Sequence, residues 1–322
     1  MKMIENSSYS DRNFCGDIII RKKNNFVFIW IIATIFIISF INLMIISFES
    51  SQNKYPNYYF ENLNISKLWE RSMGCTQTIA IIDTGITDEA KLIFENNIIG
   101  VYNSINSSIN VLDEHGITHG TQMASLIVGS GVSGVYGIAP NANLLIIRAF
   151  EGPNSRTNDE ILARAVDYAV NHNVDVINLS FGSFQSNYYL EQAINRAVDA
   201  NIIVVASTGD YGNRDSLFPA RMGNVVSVRA KDSNGNFWRY SNIGDGDIMS
   251  MYGVDMLALT NNNKQIIMSG TSQATALASG YIALIRDYHY RNGRNFNNEE
   301  IFKKTLFTKF QLSKCCRLLN SF

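Results

Sequence analysis

Three residues of complementary chemistry stand far apart in this chain: Asp83 in IAIIDTGI, His119 in THGTQMAS and Ser272 in SGTSQATA. A serine hydroxyl is a poor nucleophile at neutral pH. It needs an imidazole to take its proton and a carboxylate to hold that imidazole in one tautomer. The three side chains are therefore the parts of a nucleophilic hydrolase, provided the fold brings them together. Gly85 after Asp83 allows a sharp turn, and Gly270 before Ser272 leaves room for a substrate backbone. If Ser272 starts a helix, its own N–H points outward and can donate to a developing oxyanion.

Each string has an ordinary explanation when taken alone. Asp83 would be a strand-to-loop acid, His119 a satisfied imidazole and Gly-Thr-Ser a helix cap. Asp-Thr-Gly-Ile-Thr also resembles the phosphate-cradling start of actin-like sugar kinases, a reading that predicts nothing about His119 or Ser272. His115 and His119 are four apart with Asp113 nearby, the spacing of a metal pair. No third ligand-rich cluster accompanies them, and the His-Glu-x-x-His pattern of zinc peptidases is missing. No metal and no cofactor is expected.

The elements between these strings must position them. Thr78 to Ile82, Asn143 to Ala149, Val174 to Leu179, Ile202 to Ala206, Asn224 to Val228 and Gln265 to Met268 read as strands, several of them unbroken apolar runs. Gly120 to Val128 has the small and apolar residues of a helix packed close to a sheet. Asp159 to Asn171 puts Leu162, Ala165, Val166, Ala169 and Val170 on one helical face. Leu190, Ile194, Ala197 and Val198 mark another helix, and Glu299 to Phe307 a last one. Such alternation predicts an α/β fold, a parallel sheet with helices on both faces. Ligands in these sheets sit beyond the carboxyl ends of the strands, where Asp83, Ser180 and Asp210 all fall.

With these residues in order, the chain resembles the subtilisin-like serine peptidases (subtilases, peptidase S8) over about residues 60–310. GIAPNANLLIIRAF (137–150), DVINLSFGS (175–183), NIIVVASTGD (201–210) and LFPARMGNVVSVRA (217–230) extend the match. The resemblance implies Asp83, His119 and Ser272 as catalytic triad. It implies an oxyanion hole at Asp210 and the Ser272 amide. It implies a substrate strand pairing with Ser180, Phe181 and Gly182, with Gly209 and Leu217 at the specificity pocket. Leu217 stands where the family often has glycine, so a bulky floor should favour smaller residues before the cut bond.

Several departures qualify the resemblance. The family places asparagine at position 210, and an ionised aspartate has no donor for the oxyanion. Losing one such donor costs roughly 10²–10³ in rate. Two outcomes follow: a neutral acid in a dry site that donates O–H, or a slow enzyme leaning on the Ser272 amide. Gln273 and Ala276 replace the family's usual methionine and proline. The stretch from Gly129 to Val135, where the family's tight calcium loop lies, offers no side-chain carboxylate or amide, so no calcium site is expected.

The bulk composition excludes other classes. The 322 residues carry 27 Lys+Arg against 28 Asp+Glu, a net charge of -1, so nothing favours a nucleic-acid partner. Cys15, Cys75, Cys315 and Cys316 do not form a disulfide framework. Residues 26–48 carry no charge and are rich in Ile and Phe. As a helix they would span about 34 Å, enough for a bilayer core of roughly 30 Å. Arg21, Lys22 and Lys23 precede them, which places the N-terminus in the cytoplasm and the rest outside. A cleaved signal is the competing reading, but Ser47-Phe48-Glu49 is no small-x-small cleavage site.

The sequence thus predicts a cytoplasmic segment (1–25), a transmembrane anchor in contact with the lipid bilayer (26–48), a linker (49–64), a subtilisin-like peptidase domain (65–312) and a tail (313–322). The expected protein is a single-pass cell-membrane serine endopeptidase acting on polypeptides outside the membrane. The alternative is a subtilase-like peptide-binding protein impaired by Asp210.

Overall fold

The computed structural model describes residues 35–39, 58–113, 118–131, 133–152, 154–244 and 248–294. The chain divides into two compact units, Met1–Lys54 and Tyr55–Phe322. In the first, residues 35–39 are helical and exposed. The segment 1–25, the rest of the expected anchor at 26–48, most of the linker, the helix expected over 299–307 and the tail 313–322 lie outside the described residues. Among the described residues no helix is long and apolar enough to cross a membrane.

The second unit already begins within the stretch expected to be linker. Helices α1 (Tyr58–Asn62) and α2 (Ile65–Trp69), with the turn between them, bury Tyr59, Leu63 and Ile65 almost completely. A segment that buries three large apolar side chains is part of the core, because each contributes about 1.5–3 kcal/mol on leaving water.

The sheet is built from β1 (Thr78–Asp83), β2 (Ile98–Asn103), β3 (Asn143–Arg148), β4 (Val176–Leu179), β5 (Ile203–Ser207), β6 (Val226–Lys231) and β7 (Ile248–Tyr252). Their spatial order is β2-β3-β1-β4-β5-β6-β7, and every pairing is parallel. Side chains alternate across a strand, and the burial follows that period. Ile79 and Ile81 of β1 join one core, with Leu144 and Ile146 of β3 and Ile203 and Val205 of β5. Ala80 and Ile82 join the other, with Leu145, Ile147, Val204 and Ala206. Both faces are dry, which is why these strands read as unbroken apolar runs.

Among the described residues, two long helices cover each face. On the first lie α4 (His119–Val128) and the 21-residue α7 (Thr271–Arg291). On the second lie α5 (Asp159–Asn171) and α6 (Tyr188–Asp199). The starts of α5 and α6 are fixed by asparagine caps: Asn158 accepts from the Ile161 N–H and Asn187 from the Leu190 N–H, both at 2.9 Å. The short α3 (Asp88–Ile93) is capped by Thr87 in the same way. An antiparallel hairpin of β8 (Met256–Leu259) and β9 (Gln265–Met268) leads into α7.

Candidate active site

Asp83 is the last residue of β1, and His119 is the first of α4. The helix meets the strand closely because Gly120 lacks a side chain. A Cβ there would lie 2.1 Å from the Gly85 carbonyl oxygen. Gly85 has φ +113°, a conformation open to glycine. The approach sets His119 Nδ1 at 2.8 and 2.9 Å from the two oxygens of Asp83. A carboxylate only accepts, so Nδ1 carries the proton and Nε2 is left to act as base.

The Asp83 carboxylate is 4% exposed and the His119 ring 28%. Burial, the largest single influence, makes the ring harder to charge, but the carboxylates around it, Asp83 foremost, together outweigh it. The His119 pKa is raised above its ordinary 6.5, with smaller contributions from Asp113 and Asp210.

Thr84 donates to Asp83 through its backbone N–H, not its hydroxyl, at 2.7 Å. The hydroxyl donates to Asp113 at 2.9 Å and accepts the Gly120 N–H at 3.0 Å. Asp113 thus belongs to the site, although the sequence offered it only as a neighbour of the histidines. Burial, reinforced by the nearby Asp83 charge, pushes its pKa up to about 7 against the Thr84 hydrogen bond and the charges of Arg148 and His119. His115, the other half of the conceivable metal pair, lies outside the described residues.

Ser272 is the second residue of α7, so its N–H is one of the helix's unpaired donors. Its hydroxyl donates to the Ser180 carbonyl at 2.9 Å, and the Ser180 hydroxyl donates back to the Ser272 carbonyl at 3.1 Å. Asn178 and Ser279 brace this exchange through bonds of 2.9 and 3.0 Å. A cavity of about 520 Å³ opens alongside, with Asp83, His119, Ser180 and Phe181 in its wall. Thr118, Gln122, Thr260, Ile266 and Met268 also line it. The sequence reading missed these, since nothing local marks a hairpin residue such as Ile266 as facing a distant histidine.

Asp210 is exposed to solvent rather than enclosed in a dry site. Its Oδ1 accepts from the Thr271 N–H at 2.8 Å and the Thr271 hydroxyl at 2.6 Å. Gly182 is exposed beyond β4. Leu217 is 5% exposed and fills the space between Gly182 and Gly209: Cβ atoms added at those glycines would each lie 2.7 Å from it. Ser183 and Phe218 exchange backbone hydrogen bonds of 2.8 and 2.9 Å, which joins the segment after β4 to the one that carries Leu217. Phe184 and Tyr211, both exposed, face each other with ring centroids 4.9 Å apart.

A parallel sheet with an acid and an imidazole paired at its carboxyl rim, and a serine at a helix start held by Ser180 of the same cavity wall, is the layout of a hydrolase-type α/β scaffold. Residues 74–313 match the sequence profile of the subtilase family, peptidase S8, and the chain belongs to that family. It is 34% identical over 209 residues to a thermostable alkaline protease of Halalkalibacterium halodurans, covering 65% of this chain and 56% of that protein. It is 32% identical over 247 residues to a thermophilic serine proteinase of Bacillus sp. strain AK1, covering 76% and 57%. The chain therefore spans a little over half the length of these curated relatives. Among solved structures, the prenylagaramide maturation protease PagA superposes with a TM-score of 0.64 at 29% identity, covering 75% of this chain and 85% of that one. A point mutant of the protease domain of PatA gives 0.63 at 28%, covering 72% and 85%.

Proposed function

We propose that this protein is a serine endopeptidase in which Ser272 attacks the peptide carbonyl, His119 takes and returns the proton, and Asp83 orients His119. The observation that carries this reading is the double contact of His119 Nδ1 with Asp83, in the same cavity wall as Ser180, whose carbonyl holds the Ser272 hydroxyl. For the attack the hydroxyl must leave the Ser180 carbonyl for the imidazole, a move that rotation about its one side-chain bond can supply. The acyl group passes to Ser272 Oγ, the leaving amine takes the proton from His119, and water then hydrolyses the ester. The Ser272 N–H donates to the oxyanion.

The substrate strand lies along Ser180, Phe181 and Gly182, and the residue before the cut bond enters the pocket beside Gly209, floored by Leu217. The maturation protease PagA among the structural relatives favours a dedicated processing enzyme. The apolar stretch 26–48, with the basic residues before it, favours a membrane-anchored enzyme working outside the cytoplasm.

One observation favours a second reading: Asp210 puts an acceptor where the oxyanion needs a donor. The chain would then bind peptides without turning them over. A fluorophosphonate probe separates the two. Capture at Ser272, absent in Ser272→Ala, supports the peptidase; a folded protein that captures none supports the binding protein.

A further inference from the structure

We infer that Asp113 is a positioning residue for the acid–base pair: through the Thr84 hydroxyl it fixes both the Asp83 loop and the first turn of the helix that carries His119. The inference builds on the peptidase reading. Thr84 has one hydroxyl proton, and it goes to Asp113 at 2.9 Å. That leaves the oxygen lone pairs facing the Gly120 N–H, which approaches at 3.0 Å. The Thr84 N–H meanwhile holds Asp83 at 2.7 Å. Without Asp113 the hydroxyl would be free to rotate, and the contact with the His119 helix would lose its direction.

The loop that brings Asp113 here is itself fixed. The Ile86 N–H donates to the Val111 carbonyl at 3.0 Å, the Asp113 N–H to the Ile86 carbonyl at 3.2 Å, and Arg148 Nη1 to the Leu112 carbonyl at 2.6 Å. The charged groups that face Asp113 are Asp83 at the end of β1, Arg148 at the end of β3 and His119 at the start of α4. An ionised Asp113 adds a second negative charge near the imidazole and helps it hold its proton. The ionisations of Asp113 and His119 therefore influence each other.

The test uses the full-length protein and the pH dependence of fluorophosphonate capture at Ser272. Asp113→Asn keeps an oxygen acceptor for Thr84 and removes the charge, so the acid limb should move down by about half a pH unit. Asp113→Ala removes both, so it should show the same displacement and capture roughly tenfold more slowly than Asp113→Asn. An acid limb left at its wild-type position in Asp113→Asn, or an alanine variant as fast as the asparagine one, would overturn the inference. If Asp113→Ala does not fold, Thr84→Val, which removes the hydroxyl link and keeps the Asp113 charge, takes its place: capture slowed roughly tenfold supports the inference, and capture at the wild-type rate overturns it. If the wild-type protein captures no probe, the peptidase reading fails by itself. The His119 imidazole titration, followed by NMR in wild type and Asp113→Asn, then decides the role of Asp113.

Discussion

Asp210 gives a single oxygen, Oδ1, to both donors of Thr271, its backbone N–H at 2.8 Å and its hydroxyl at 2.6 Å. The acid therefore ties the loop after β5 to the residue preceding Ser272. An asparagine could keep both bonds with its carbonyl oxygen and present its amide N–H in place of Oδ2.

Asp210→Asn is accordingly expected to raise kcat, by about tenfold or more, since one oxyanion donor is worth roughly 10²–10³. Steady-state kinetics on a peptide anilide checks this. A slower Asp210→Asn variant would show that the aspartate serves the reaction in another way.

The raised pKa of His119 fixes the sign of the pH dependence. The base works when neutral, so activity is lost as pH falls through that pKa, and the acid-limb midpoint should lie above 6.5. Asp83→Asn removes the main group that raises it. That variant should move the limb down and lower kcat by on the order of 10⁴, because the imidazole is no longer held in the working tautomer. A kcat/KM profile running from acid through neutral to mildly alkaline pH reads both effects.

Leu217 should limit the residue before the cut bond to small side chains. Leu217→Gly is expected to shift the preference toward large apolar residues by about tenfold or more in relative kcat/KM. A peptide series varied only at that residue measures it. Large aromatics cut fastest by the wild type would contradict the assignment of Leu217 as floor.

Gly120→Ala tests how tightly the acid and base elements are joined. The added carbon would lie 2.1 Å from the Gly85 oxygen, a clash with backbone that cannot rotate away. Overpacking of this kind costs about 1–3 kcal/mol or more. Urea denaturation should show the loss, and fluorophosphonate capture should slow as His119 is displaced.

The sheet was legible because its strands are buried on both faces. Val176–Leu179 and Ile203–Ser207 fall within the expected runs to a residue or two, and Asp159–Asn171 matches its apolar stripe. The strand Ile98–Asn103 was missed: it lies at the sheet edge, is only partly buried and carries Gly100, so neither an apolar run nor a clean alternation marks it. In the site, Asp83 and His119 announce themselves through the glycines that let them meet. The engagement of Asp210 with Thr271, and the hydroxyl of Thr84 turning to Asp113 rather than Asp83, depend on side-chain direction. No spacing in the chain encodes that.

The exchange between Ser272 and Ser180 has a practical outcome for the resting protein. Its hydroxyl is parked on a carbonyl of the very segment that an incoming polypeptide would engage as a neighbouring strand. An extended guest competing for that carbonyl would free the oxygen to swing toward the ring nitrogen. A small ester too short to reach the segment would leave the hydroxyl stowed. Arming of the nucleophile would thus be coupled to arrival of a chain long enough to be worth cutting.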